Sequence, residues 1–317
     1  MLKQKKYLYT INYPVYEEEL CKMEMKYVFS IEANEKHFLS DIYVNPSRST
    51  FIKEVIKILY VEDTLEEILD NIKRDTLSYQ KFKILFIKLQ DCDVSYEERL
   101  RSIRSIGLII KGIAVMKDAE NHLALTRLNG KWIFGEYQRN DYEWHIHDRK
   151  PYTYSNSLSV RVAKSLVNIA IGTDLDKTLI DPCCGIGTVV IEALSMDVNV
   201  IGYDINKSIA SKARDNAQFF GYERDYIKQG DMHEITKRYD SAIIDIPYGL
   251  FTPITLEEQV NIIKTAYKIC DMLVLVAFED MSNILLKEGF KIIDRCNVCK
   301  GKFKRYIFIA NGKCWGA

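Results

Sequence analysis

The second half of the chain alternates between apolar strands and amphipathic helices, and this order constrains the fold more than any other feature. Apolar runs such as Thr178–Pro182, Val198–Asp204 and Met272–Phe278 are separated by amphipathic segments of helical length. Strands joined through such helices form βαβ units, whose strands run parallel in one sheet. The last two runs, Lys291–Val298 and Arg305–Ala310, have no helix between them and predict an antiparallel hairpin at the sheet edge.

The first half has no repeating order of elements and predicts a smaller α+β domain. Alternation over Lys6–Asn12 predicts a strand, and Asn129-Gly130 between two alternating runs predicts a tight hairpin. Apolar residues at helical spacing predict helices over Glu17–Phe29 and over Phe51–Leu59.

Residues 138–155 are interpreted as the linker between the two halves, because they are polar and aromatic with little periodicity. We therefore expect an α+β domain over residues 1–148 and an α/β domain over residues 149–317. A chain of 317 residues with 47% hydrophobic residues can bury a core in each. The 44 basic residues equal the 44 acidic ones in number, which argues against a protein that wraps nucleic acid by charge alone.

Composition also favours a cytoplasmic protein without a membrane span. No apolar run approaches the roughly 18–20 residues that a membrane helix needs, and the first residues do not resemble a secretory signal peptide. Eight cysteines at uneven spacing are interpreted as reduced thiols rather than as a disulfide framework.

A glycine turn follows the first strand of the α/β half, in the sequence Asp181-Pro-Cys-Cys-Gly-Ile-Gly-Thr188. Glycines let the backbone approach a ligand closely, and open α/β sheets bind ligands where their strands end. The phosphate-binding glycine patterns of nucleotide-binding loops are absent. An acidic residue before the turn would repel phosphate and would suit a cationic ligand.

Three further acidic residues follow successive strands of this half. An acid in the position of Asp204 typically accepts from ribose hydroxyls. Asp231 could accept from an adenine amino group, with Met232 beside the ring. The fourth motif is Asp245-Ile-Pro-Tyr-Gly249. Its carboxylate can accept from an exocyclic amine and so orient it, Pro247 stiffens the turn, and the ring of Tyr248 can stack on a base.

Taken together, DPCCGIGT, GYDI, GDM and DIPYG resemble the S-adenosylmethionine-dependent amino-methyltransferases. With YSNSLSVRVAKSLVNIA upstream, they resemble most specifically the THUMP-containing tRNA guanosine-N2 methyltransferases that modify guanosine 10. The resemblance covers residues from about 150 to 317, and it is faint in the first half. It implies a Rossmann-like class I methyltransferase domain, preceded by a THUMP-like RNA-binding domain.

The resemblance also implies roles for the motif residues. Asp245, Pro247 and Tyr248 would hold the target guanine, and Asp245 would orient the amine and take its proton. Within the S-adenosylmethionine site, the first glycine turn would line the methionine part, Asp204 would hold the ribose and Asp231 the adenine. The residues assigned to this cofactor are Asp181, Cys183, Gly185, Gly187, Thr188, Asp204, Ile205, Asp231 and Met232. The family usually has an aromatic residue or Met where Cys183 stands.

The implied partner is tRNA or another structured RNA, with a small activator subunit possible because some relatives use one. Residues 291–317 carry seven Lys or Arg and one acid, which would suit a phosphate backbone. Alternative functions are an adenine-N6 or ribosomal RNA guanine-N2 methyltransferase, and a non-catalytic RNA-binding protein of the same fold. A nicotinamide-dependent oxidoreductase fits less well, because the phosphate-binding pattern is missing.

No metal site is predicted. Cys296 and Cys299 form one C-x-x-C pattern, but a structural zinc site needs four ligands. Both thiols are therefore expected in a strand. His145 and His147, expected on one strand face, have no carboxylates at a suitable spacing, and contact with RNA or cofactor explains them better.

Overall fold

The chain divides into two compact units in a computed structural model that describes residues 6–90, 92–154, 157–247, 254–300 and 303–312. One unit comprises the segment that ends at Asn12 together with Ala33–Asp141. The other comprises Tyr13–Glu32 together with the segment that begins at Tyr142.

The described residues form fourteen strands and eight α-helices. The strands are β1 (Tyr7–Ile11), β2 (His37–Ser40), β3 (Ile52–Glu62), β4 (Ser78–Phe86), β5 (Lys111–Ala114), β6 (Asn121–Leu128), β7 (Lys131–Arg139), β8 (Thr178–Asp181), β9 (Asn199–Asp204), β10 (Ile227–Gln229), β11 (Tyr239–Asp245), β12 (Cys270–Ala277), β13 (Lys291–Lys300) and β14 (Phe303–Asn311). The helices are α1 (Glu18–Phe29), α2 (Leu65–Asp75), α3 (Tyr96–Gly107), α4 (Val160–Ile171), α5 (Thr188–Leu194), α6 (Lys207–Phe219), α7 (Leu256–Ile269) and α8 (Ser282–Lys287).

The first unit is built on a mixed sheet in the order β2-β1-β3-β7-β6-β4-β5. Strand β4 runs parallel to β5 and β6, and the other neighbours are antiparallel. Helices α2 and α3 contribute Ile68 and Ile106 to a core shared with Phe82 of β4. The hairpin predicted at Asn129-Gly130 is confirmed, because β6 and β7 pair across it and both turn residues have positive φ.

The helix predicted over Phe51–Leu59 is wrong. Residues 52–59 of this segment lie in β3, which pairs antiparallel with β1 and β7 in the interior of the sheet. Apolar residues four positions apart share a face in a strand as well as in a helix, so that spacing alone does not separate the two. The β-branched Val55, Ile56 and Val61 favour the strand and are buried in it.

The second unit has the sheet order β10-β9-β8-β11-β12-β14-β13. Every adjacent pair among strands β8 to β12 is parallel, whereas β14 is antiparallel to both β12 and β13. The mostly parallel Rossmann-like sheet with an antiparallel C-terminal hairpin is thus confirmed. Cys296 and Cys299 lie in β13, as expected.

Helix α1 belongs to the second unit, although the sequence around it leads into the first. The buried Glu24 of α1 accepts a hydrogen bond from Asn168 of α4 at 3.0 Å. Glu19 accepts one at 2.7 Å from the backbone N–H of Asn297, and so covers a donor on β13. The contacts therefore divide the chain differently from the expected boundary at 148, because the amphipathic pattern of α1 does not specify which sheet it covers.

The expected linker contains regular structure. Strand β7 continues to Arg139, and Glu143–Arg149 forms a 3-10 helix. His145 and His147 therefore lie on a helical turn, and the strand face predicted for them is wrong. Nδ1 of the buried His147 is 2.6 Å from Oε1 of Glu192 on α5.

The described residues contain neither a membrane-spanning helix nor a candidate metal-binding group. No helix there combines the length and the apolar character needed to cross a membrane. No group of three or more His, Cys, Asp or Glu side chains in the same residues could hold a metal ion.

Gly202 of β9 allows close packing behind the first glycine turn. A Cβ atom there would lie 2.6 Å from Cγ2 of Val190 and 3.1 Å from Sγ of Cys184. Gly202→Ala should therefore lower the free energy of unfolding by about 1–3 kcal/mol, as overpacking does. Urea denaturation of the whole chain measures this value.

Gly107→Ala is the matched control, because its Cβ would make only an ordinary contact of 3.8 Å with Ile84. We expect the control to leave the free energy of unfolding unchanged or to raise it by up to about 1 kcal/mol, because Gly107 ends helix α3 and alanine has the higher helix propensity. An equal loss in both variants would contradict the packing argument.

Candidate active site

A cavity of about 790 Å³ lies where the parallel strands of the second unit end. Because β8, β9, β10 and β11 run in one direction, the loops that follow them meet at one edge of the sheet. The sequence-predicted residues that line the cavity are Asp181, Cys183, Gly185, Thr188, Asp204, Ile205, Asp231, Met232, Asp245 and Pro247. Gly187 is the N-cap of α5, and Tyr248 lies outside the described residues.

The turn between β8 and α5 has the open backbone that the glycine pattern predicts. Gly185 has a φ of 53°, and a Cβ atom there would meet nothing within 4 Å. Gly187 has a φ of 82° and its N–H donates to the carbonyl of Cys184 at 2.8 Å. Positive φ at both positions favours glycine, and the space beside Gly185 is available to a ligand.

Asp204 connects this turn to β9. One carboxylate oxygen accepts from the N–H of Gly185 at 3.0 Å, and the other accepts from the N–H of Asn206 at 2.8 Å. The half-buried position raises the pKa of Asp204, while these two backbone hydrogen bonds act in the opposite direction. Carboxylate oxygens have lone pairs left over after such contacts, so Asp204 can still accept from a ligand.

Asp181 is almost fully buried at the end of β8, with 4% of its surface exposed. Burial raises the pKa of Asp181 well above its usual range, and the nearby charges of Asp245 and Asp204 raise it further. One of its oxygens accepts from the N–H of Cys183 at 3.2 Å. A positively charged ligand group beside Asp181 would favour its ionised form.

Met232 and Cys183 place two sulfur atoms in the cavity wall. Sγ of Cys183 is 3.6 Å from Sδ of Met232. Burial raises the pKa of the Cys183 thiol, so it is a neutral packing group rather than a nucleophile. Asp231 caps the short turn that holds Met232 by accepting from the N–H of His233 at 2.9 Å.

Asp245 differs from the other acidic residues in its hydrogen bonding. Its Oδ1 atom is buried and has no hydrogen-bond partner among the described residues. Burial raises the pKa of Asp245 to about 7, and the charge of Arg305 on β14 opposes this rise. The carbonyl of Pro247, two residues on, accepts from Nε2 of Gln259 on α7 at 2.9 Å, which restrains Pro247.

The cavity suits a cationic ligand with polar hydroxyl and amino groups. Its described lining contains five carboxylates and no Lys or Arg; the acids are Asp181, Asp204, Asp231, Asp245 and Glu258. Oγ1 of Thr188 is, like Oδ1 of Asp245, buried without a hydrogen-bond partner in the described part of the chain. Polar atoms left in this state are destabilising unless a ligand or water pairs with them. The residues present therefore fit S-adenosylmethionine, whose sulfonium and ammonium are cationic.

Sequence reasoning missed the segment before α4 that forms another wall. Tyr154, Ser157 and Leu158 line the cavity; they stand in the motif YSNSLSVRVAKSLVNIA, to which no contact with the cofactor was assigned. The buried Asn216 of α6 holds this segment, since its Oδ1 accepts from the N–H of Tyr152 at 2.9 Å. Its Nδ2 donates to the carbonyls of Tyr152 and Ile186, both at 3.0 Å. In the sequence, the signal for this contact was a polar Asn between Ala213 and Ala217 on the apolar face of a predicted helix.

The start of α7 contributes residues that the sequence motifs did not indicate. Ile254, Glu258, Asn261 and Ile262 line the cavity beside the loops after β10 and β11. Glu258 and Thr255 form a capping box at the start of α7, so this wall is held by local hydrogen bonds. The four residues lie only 9–17 positions after Asp245, but they carry no motif of their own.

Comparison with known proteins identifies relatives for part of the chain. Two curated relatives are both named tRNA (guanine(10)-N2)-dimethyltransferase. The relative from Pyrococcus abyssi is 25% identical over 190 residues, which cover 56% of this chain and 57% of the relative. The relative from Methanothermobacter thermautotrophicus is 29% identical over 157 residues, 46% of each chain. This chain thus matches about half the length of these relatives.

A similar solved structure is TrmN from Thermus thermophilus, with a TM-score of 0.47 and 14% sequence identity over 97% of this chain and 99% of that one. Residues 147–262 match the UPF0020 family, described as an RMKL-like methyltransferase domain. This match includes every described residue of the predicted site. It confirms the prediction from the sequence motifs that this part of the chain contains a methyltransferase domain.

Proposed function

We propose that this chain is a tRNA guanosine-N2 methyltransferase that uses S-adenosylmethionine. Asp245 carries the proposal, because its Oδ1 is buried in the cavity without a hydrogen-bond partner among the described residues. It opens an Asp-Ile-Pro-Tyr sequence beside the predicted cofactor residues. The methyltransferase match and the activity named for both curated relatives support the same reaction.

The predicted cofactor residues would divide S-adenosylmethionine between them. Asp204 would accept from the ribose hydroxyls, and Asp231 from the adenine amino group. Asp181, deeper in the cavity, would pair with the ammonium of the methionine part. When bound, this cofactor supplies a methyl group that is already activated on a sulfonium, so the protein acts mainly by positioning.

Asp245 would orient the exocyclic amine of the target guanine. Its Oδ1 accepts a hydrogen bond from N2–H, which turns the nitrogen lone pair toward the methyl group. The N–C bond would form as the methyl–sulfur bond breaks, with the neutral thioether of S-adenosylhomocysteine as the leaving group, and the surplus proton on N2 would pass to the carboxylate. Gln259 holds Pro247 through its carbonyl, and Tyr248 stays the predicted stacking partner for a base taken out of its stack.

The first unit would be the THUMP-like part that binds tRNA and selects the nucleotide that reaches Asp245. Cytoplasmic tRNA would be the substrate, and a small activator subunit stays a prediction from the sequence resemblance.

Asp245→Ala should abolish catalysis while leaving the cofactor site intact. We expect methyl transfer from labelled S-adenosylmethionine to unmodified tRNA to fall at least about 100-fold, because a positioned base contributes on that scale. Nucleoside analysis of the digested tRNA should show N2-methylguanosine with wild type only. Cofactor affinity should stay within a few-fold.

Asp225→Ala is the control for this variant, since Asp225 is exposed outside the cavity lining. Labelled N6-methyladenosine, or label in ribosomal RNA alone, would contradict the proposed substrate and favour an adenine-N6 or a ribosomal RNA methyltransferase. Binding of the cofactor without label in any RNA would leave a domain without the proposed activity.

The pH dependence should follow Asp245. Its carboxylate form increases as pH rises through about 7, so kcat/KM for tRNA, measured on the enzyme saturated with S-adenosylmethionine, should rise over the same range, because this parameter reflects groups that titrate before tRNA binds. Arg305→Gln removes the charge that lowers the pKa of Asp245 and should move the inflection to higher pH. Lys304→Gln, an exposed neighbour on β14, is the control. An inflection that does not move in Arg305→Gln would contradict this assignment.

Asn216→Ala should weaken cofactor binding without removing any residue of the cavity lining. The change deletes the three hydrogen bonds that tie Tyr152 to Ile186, and each such bond contributes about 0.5–1.5 kcal/mol. We expect the Kd for S-adenosylmethionine, measured calorimetrically, to rise about tenfold. Gln218→Ala, on the exposed side of α6, should leave it unchanged.

A further inference from the structure

A lysine and two tyrosines form a cluster at the wall of the cavity. Nζ of Lys212 on α6 donates to the hydroxyl of Tyr154 at 3.2 Å. It also lies 5.5 Å from the ring centre of Tyr154 and 5.9 Å from that of Tyr152, within the range of cation–π attraction. Three contacts therefore restrain a side chain that is otherwise flexible.

The cluster lies toward the end of the cavity formed by the first glycine turn. Ile209, one helical turn before Lys212, lines the cavity, and Asn216, one turn after it, donates to the carbonyl of Ile186. A Cβ atom on Gly187 would be 3.4 Å from Cβ of Ala213. Helix α6 thus packs directly on the turn, and Lys212 lies on its cavity side.

The charges around the cavity leave one group of the cofactor without a counterpart. S-adenosylmethionine has a sulfonium, an ammonium and a carboxylate. The acids of the lining suit the first two and would repel the third, and the described lining itself contains no Lys or Arg. Lys212 brings a cation to the wall through Tyr154. Since the Tyr154 hydroxyl accepts from Lys212, its own hydrogen is available to donate.

We propose that Lys212 and Tyr154 form the subsite for the α-carboxylate of the methionine part of S-adenosylmethionine. The inference rests on the proposed function, because it takes that cofactor as the ligand. Nζ of Lys212 provides a charge-assisted hydrogen bond and the Tyr154 hydroxyl a second one. Asp181 then pairs with the ammonium, so the two ends of the amino acid meet opposite charges.

The test compares S-adenosylmethionine with decarboxylated S-adenosylmethionine, which differs only by the carboxylate. Affinities are measured by isothermal titration calorimetry on the full chain without RNA. Wild type should bind the complete cofactor at least about tenfold more tightly, as a charge-assisted hydrogen bond implies. Lys212→Met should lose most of this preference, while its affinity for the decarboxylated compound stays within a few-fold of wild type. Tyr154→Phe should lose part of the preference.

Lys268→Met, an exposed lysine on α7 that does not line the cavity, is the control and should keep the full preference. Equal loss of both ligands in Lys212→Met would assign Lys212 a structural role and overturn the subsite. An unchanged preference in that variant would overturn it as well, and would leave Lys212 available as a contact for RNA phosphate. Wild type that binds neither compound would refute the proposed function instead.

Discussion

The candidate active site depends on the parallel register of β8 with β9 and β11. These strands run in one direction, so their last residues, Asp181, Asp204 and Asp245, reach the same edge of the sheet. Burying carboxylates is unfavourable unless hydrogen bonds compensate. Backbone N–H groups do so at Asp181 and Asp204, whereas Oδ1 of Asp245 has no partner within the described residues and can receive a ligand.

Helix α6 links the two sides of the site that this register creates. Asn216 joins the segment before α4 to the first glycine turn, and Ala213 packs against Gly187. The same helix presents Lys212 to Tyr154. A single helix therefore positions the glycine turn, the outer wall and a cation, which is why changes on its cavity side should affect cofactor binding more than changes on its exposed side.

Features that depend on near neighbours in the chain could be predicted from the sequence. The hairpin at Asn129-Gly130 follows from local backbone preferences. The spacing of apolar residues could not assign Phe51–Leu59 to a helix or a strand, because both structures place residues four positions apart on one face. Strand β5, a short and fully exposed edge, had no apolar pattern to reveal it.

The sequence by itself determined the order of strands and helices in the second unit and the acidic residue after each of the ligand-binding strands. Both follow from periodicity and turn chemistry, which are local in the chain. Only the tertiary structure decided that α1 covers the second sheet and that Lys212 meets Tyr154. Such contacts join residues far apart in the chain, and packing, rather than any local preference, selects the partner.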